Sequence, residues 1–209
     1  DWSRGLTKLQ LRSRGWSAGA MRAVDRTAPS LAALELMNFD AASLSGLELV
    51  SPSLIQLTLL ECSDVGSMLE TAASSFHSLR RLLVSRCHHV SPEGFGALAE
   101  GCSQLTELDL TGCADDADTK MIERAVLRFT RTLTFGGPVI PKPLQTFRCA
   151  ERLSDECVRA LCRASPNLTV LVLRNVISTA AVREPALYCD ALERLEIYTA
   201  ESLKTVHWA

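Results

Sequence analysis

The residues able to do chemistry are few and widely spaced. The 209-residue chain holds eight cysteines, four histidines and 24 acidic side chains. Cys87-His88-His89 gathers three metal-binding types, but structural zinc sites pair their ligands two to four residues apart. Here Cys62, Cys87 and Cys113 stand 25 and 26 residues apart, and Cys157 and Cys162 stand five apart. That spacing suits thiols packed as small hydrophobes, so no metal site is expected. A phosphate loop, an H-E-x-x-H pair and a G-x-G-x-x-G turn are missing from the sequence, and no catalytic residue or cofactor is expected. The formal charge is −2 and aromatics make up 5% of the chain, which gives Arg12, Arg14, Arg80 and Arg81 no support as a nucleic-acid surface. No window approaches the roughly 18 to 20 apolar residues of a membrane span.

A repeat positions these residues. The pattern L-x-x-L-x-L, with Val, Ile, Phe or Cys also allowed at the fourth and sixth sites, begins at Leu6, Leu31, Leu54, Leu79, Leu105, Leu144, Leu168 and Leu192. The successive intervals are 25, 23, 25, 26, 39, 24 and 24 residues. Pro29, Pro52 and Pro166 each precede a leading leucine by two. Cys62, Cys87 and Cys113 follow the sixth site by three, where other copies have Arg14, Phe39, Arg152, Val176 and Ala200.

The pattern resembles the cysteine-containing leucine-rich repeat, best known from F-box proteins of ubiquitin ligases. The resemblance covers residues 1–209 as a single solenoid. It implies an α/β fold: a right-handed leucine-rich-repeat solenoid of eight or nine rungs, with a parallel β-sheet on the concave face and helices on the convex face. It further implies a non-enzymatic module for protein–protein interaction, like the substrate-recognition part of an F-box ubiquitin-ligase receptor. Leucine-rich proteins of this subtype also resemble structural or assembly subunits of axonemal, organellar or respiratory complexes, which is the alternative. A helical F-box segment would precede the repeats, and the residues before Leu6 are too few to hold one. The chain begins at Asp1 rather than Met and reads as processed, trimmed or cut from something longer. Unbridged thiols point to a reducing compartment, cytoplasm or nucleus, with an organelle left open by that start.

Elementary physics agrees with the pattern. Sites four and six alternate as a strand requires, and the segments after the strands carry helix signals. Ser154 and Ser91 suit N-caps, with Pro92 at the first helical position. Val158, Leu161 and Cys162, and likewise Phe95, Leu98 and Ala99, make apolar stripes. A unit of about 25 residues cannot close its own core, so units must stack.

The copies are not uniform. Extra matches at Leu44 and Leu203 predict a second short strand, either a thin rung or a strand on the outer face. The 39-residue interval predicts an insertion of about 14 residues within 114–143. A helix is expected there over 118–131, with Ile122, Val126 and Phe129 on one side, ending before Gly136, Gly137 and three prolines. Val206 and Trp208 run apolar to the end, which suggests further rungs or a neighbour docked on the C-terminal end.

The third, fifth and seventh sites should face away from the core. Met37, Leu60 and Leu83 are expected to form one exposed apolar seam, with Glu107 and Asp109 as an acidic step beside it. Arg148, Arg174 and Arg194 form a basic strip, with Val170, Val172 and Tyr198 among them. These residues are the expected partner-binding surface, since apolar area rimmed with charge suits a protein partner.

Overall fold

In the computed structural model, all eight motif copies become strands that start two residues after the leading leucine. They are β1 (Lys8–Arg12), β2 (Ala33–Met37), β3 (Gln56–Leu60), β4 (Arg81–Ser85), β5 (Glu107–Leu110), β6 (Thr146–Cys149), β7 (Val170–Arg174) and β8 (Arg194–Tyr198). They pair in chain order as the parallel part of one sheet, and β9 (Leu203–His207) adds to β8 antiparallel. Helices α1 (Val65–Ser75), α2 (Pro92–Gly101), α3 (Thr119–Thr130), α4 (Asp155–Ala164) and α5 (Ala180–Tyr188) follow β3 to β7 in turn. Successive helices pack on one another, giving an α/β fold of two layers. The structure describes residues 5–12, 28, 30–39, 53–113, 119–131, 141–174, 180–198 and 203–207. The match at Leu44, the break at Gly136 and Gly137, and Trp208 lie outside them.

The strands align because equivalent sites meet. Lys8, Ala33, Gln56, Arg81, Glu107, Thr146, Val170 and Arg194, all third sites, are register partners in series. Just before each strand, one backbone carbonyl accepts two N–H groups from the next copy. Thr7 O takes Ala32 and Ala33, Ala32 O takes Ile55 and Gln56, and the same bond pair recurs as far as Thr169 O with Glu193 and Arg194. A slip of one residue would turn every leucine to the other face, so the apolar pattern locks the register.

The first, fourth and sixth sites supply the core. Leu54, Leu57, Leu59, Leu79, Leu82, Val84, Leu105, Leu108 and Leu110 are all buried, and so are their equivalents through β7. Each such leucine contributes about 1.5–3 kcal/mol by leaving water. Helix residues Val65, Leu69, Phe95, Leu98, Val126, Phe129, Val158 and Leu161 join the same cluster. The predicted caps are present: Ser91 Oγ accepts from Gly94 N–H at 3.0 Å and Ser154 Oγ from Cys157 N–H at 3.3 Å. In the long interval α3 forms as expected, burying Ile122, Val126 and Phe129.

One expectation needs correction. The strand at Leu203 is not on the outer face, because it joins the main sheet beside β8, and it is not a rung like the others, because it runs antiparallel to β8. After β6 the core site shifts by one: Leu153 is buried and Arg152, the residue three past the sixth site, is exposed. A charged guanidinium cannot take the place that Cys62, Cys87 and Cys113 fill without a buried partner.

Candidate functional site

One sheet face is spent on the core, so the residues expected to bind a partner lie on the other. Register arranges its side chains in three rows. The third-site row runs Lys8, Ala33, Gln56, Arg81, Glu107, Thr146, Val170, Arg194, and the fifth-site row runs Gln10, Glu35, Thr58, Leu83, Asp109, Arg148, Val172, Glu196. The seventh-site row pairs Arg12, Met37, Leu60 and Ser85 in order, and Arg174 with Tyr198.

The straight apolar seam is therefore a correction. Met37 and Leu60 are neighbours, but Leu83 belongs to the fifth row and stands beside Thr58. The three meet only diagonally, in a bent patch. They are half-buried rather than exposed, and Arg12 Nε lies 2.8 Å from Met37 Sδ. The physical reason is crowding: strands about 4.8 Å apart let outward side chains cover one another. Thr58, Thr146 and Glu196 keep only 7, 9 and 8% of their surface on this face.

The charges are also more engaged than a free acidic step and a free basic strip would be. Glu107 pairs with Arg81 at 3.1 Å, and Asp109 lies 3.8 Å from Arg148. The three arginines occupy three different rows. Arg194 binds Glu196 Oε1 through Nε at 2.7 Å and through Nη2, while Tyr198 donates to Oε2 at 2.8 Å. The Tyr198 hydroxyl first, and Arg194 next, hold the Glu196 carboxyl below its usual range. Arg174 stacks over the Tyr198 ring, 5.0 Å from its centre. Between these groups lies a depression of about 210 Å³, lined by Thr111, Arg148, Ala150, Val172, Arg174 and Tyr198 together with Cys149, Arg194 and Glu196. Val170 stands in the third row between Thr146 and Arg194, half-buried. Of the expected partner-binding residues, the fold thus gathers Arg148, Val172, Arg174, Arg194 and Tyr198 around one hollow.

The thiols have a structural use. Cys62 Sγ donates to Leu36 O at 3.6 Å, Cys87 Sγ to Leu59 O at 3.4 Å, and Cys113 Sγ to Val84 O at 2.8 Å. Each acceptor is the sixth site of the preceding strand, so cysteine at this position ties one copy to the last. Burial pushes the thiols of Cys102, Cys113 and Cys149 up to about 12, far from the thiolate that a nucleophile or metal ligand must be. Cys87 faces inward, whereas His88 and His89 are exposed, so that triplet does not converge.

Some features gave no clear sequence signal. Three residues before the leading leucines, Ala28, Phe76, Cys102, Ser165 and Cys189 are all buried, and each carbonyl accepts the N–H of its leucine. The residue type varies there, so only the constant offset could have revealed the site. Lys142 is buried in the proline-rich stretch, its Nζ on Ala99 O at 2.8 Å and 5.7 Å from the Phe129 ring centre. One string stands against the expectation of no catalytic residue: Gly15-Trp16-Ser17-Ala18-Gly19 matches G-x-S-x-G. That pattern has meaning as a sharp strand-to-helix turn with histidine and acid partners at hand. Residues 13–27 lie outside those described. A comparison of the chain with known protein families finds no match. Among the described residues, no helix is long and apolar enough to cross a membrane.

Proposed function

We propose that the chain is a leucine-rich-repeat solenoid of the cysteine-containing type, and that its outward sheet face holds a protein partner without doing chemistry on it. The supporting observation is the equivalence of copies: one template site meets the same site on every neighbouring strand from β1 to β8. Such a stack presents a long, continuous face whose outward residues can vary without disturbing the core. Half-buried Met37, Leu60, Leu83, Val170 and Val172 set among charges suit a polypeptide ligand. On this reading the module is the substrate-reading part of an F-box-type ubiquitin-ligase receptor.

The internal pairing on the face favours a second reading. Arg81 with Glu107 and Arg194 with Glu196 already satisfy much of its polar capacity. A static subunit of a large assembly needs less free capacity than a receptor that exchanges substrates. Purification from native cells separates the two: a receptor brings down a ligase adaptor, and an assembly subunit co-fractionates in fixed stoichiometry with its complex. Leu60→Asp and Leu83→Asp variants that stay folded should lose the captured partner in either case. Undiminished capture by both would remove the sheet face as the binding surface.

A further inference from the structure

The hollow at the C-terminal ends of β5 to β8 contains more donor capacity than its own acceptors use. Glu196 is engaged at both oxygens, one on Arg194 and the other on Tyr198. Asp109 is held largely by the residue just past its own strand: Oδ1 accepts from Thr111 N–H at 3.1 Å and from the Thr111 hydroxyl. Its other oxygen lies 3.8 Å from Arg148 Nη1, too far for a hydrogen bond. Among the described residues, the Arg174 guanidinium meets only the face of the Tyr198 ring, which takes up charge but accepts none of its in-plane N–H groups. Among the described residues, two guanidiniums are thus left with open donors.

Their placement is diagonal. Arg148 is the register partner of Val172, and Arg174 lies two residues further along the same strand. Strand spacing and rise put their Cα atoms roughly 8 Å apart, so two long side chains can close on one small group between them. Val172 and Ala150 leave the hollow without a bulky side chain in the middle. Charge sets the class of that group. Arg148, Arg174 and Arg194 against Asp109 and Glu196 leave a single net positive charge, which matches a monoanion. From this we infer that the hollow is a carboxylate-binding subsite, taking an aspartate or glutamate side chain of an extended partner segment, with Arg174 and Arg148 as its two anchors. The inference rests on the outward sheet face being the partner surface.

The test uses the 209-residue chain and an array of short random-sequence peptides. Retained peptides should be enriched in Asp or Glu at one position, and binding should weaken with added salt. A resynthesised acidic peptide should bind about tenfold more weakly to Arg174→Gln and about a hundredfold more weakly to the Arg148→Gln, Arg174→Gln double variant. The same peptide with its acid changed to the amide should not distinguish the proteins. Both arginines lie on the surface side of the sheet, and circular dichroism checks that the variants fold. Retention without acidic preference, still abolished by Leu60→Asp, overturns the carboxylate site and leaves the binding face standing. Retention that no sheet-face substitution changes overturns both, as does the retention of no peptide at all. A phosphoserine peptide bound more than about tenfold tighter than its glutamate counterpart replaces the carboxylate with a phosphate.

Discussion

The two faces of this sheet obey different rules, although they alternate residue by residue along the same strands. The inward face is monotonous: leucine, or a close substitute, at three fixed sites of every copy, packed into one cluster with the helices. The outward face keeps no fixed residue type at any of its sites, and its neighbours satisfy one another in local pairs such as Gln10 with Glu35, Arg81 with Glu107 and Arg194 with Glu196. Water removal has essentially one solution for a short, stacked strand, whereas a solvated face has many. The inward side therefore fixes the fold, and the outward side is free to be specific.

The sharpest way to break this contrast is to cut one residue on each side of a single strand. Leu108 is fully buried in the middle of the sheet, so Leu108→Ala should cost about 2–5 kcal/mol in urea unfolding. Asp109→Asn, one residue on, should cost under about 1 kcal/mol, because a partly exposed ion pair contributes little. Equal losses would show that the faces are not divided as described.

A smaller effect is expected where the helical layer is tightest. A Cβ on Gly101 would land on the Ala73 carbonyl oxygen, between α2 and α1. Gly101→Ala should therefore lower stability by about 1–3 kcal/mol, the usual range for overpacking, read from the same unfolding curve.

Ser165 sharpens the comparison in the opposite direction. It occupies the buried site that holds Cys102 and Cys189 in other copies, and its hydroxyl has no hydrogen-bond partner among the described residues. Ser165→Ala should then raise stability by about 1 kcal/mol, since an unmet buried hydroxyl is a cost that alanine removes. A loss of that size would mean that the hydroxyl has a partner after all.

The Glu196 pairing on the outward face should lose its effect in acid. Glu196 has a depressed carboxyl through Tyr198 and then Arg194, so its contribution is complete above the ordinary carboxylate value of 4.5. That contribution is lost as pH falls through the lower folded value. Glu196→Gln should therefore be less stable than the parent at neutral pH and converge with it in acid, flattening this part of the stability–pH curve, and Tyr198→Phe should do the same in part.

Much of the fold was legible in the letters and much of the site was not, for one physical reason. The eight leading leucines marked every parallel strand, and Ser91 and Ser154 marked helix starts, because burial and capping are local demands met by few residue types. Rows on the outward face depend on register, so Leu83, a fifth-site residue, reads as part of a seam that Met37 and Leu60 form at the seventh. Pairing hides there too: Arg148, Arg174 and Arg194 read as one strip, yet they occupy three rows with three kinds of partner. Lys142 shows the same limit, since nothing in a proline-rich stretch announces that a lysine will reach back to Ala99.

The most direct measurement takes two adjacent residues of β7, Leu171 and Val172, each changed to aspartate. Unfolding midpoint and partner retention from native extract would be read on both. Leu171→Asp should unfold the chain, while Val172→Asp should keep a near-normal midpoint and release the partner. A Val172→Asp protein that collapses like its neighbour, or one that folds and still holds its partner, would contradict the division of labour between the two faces.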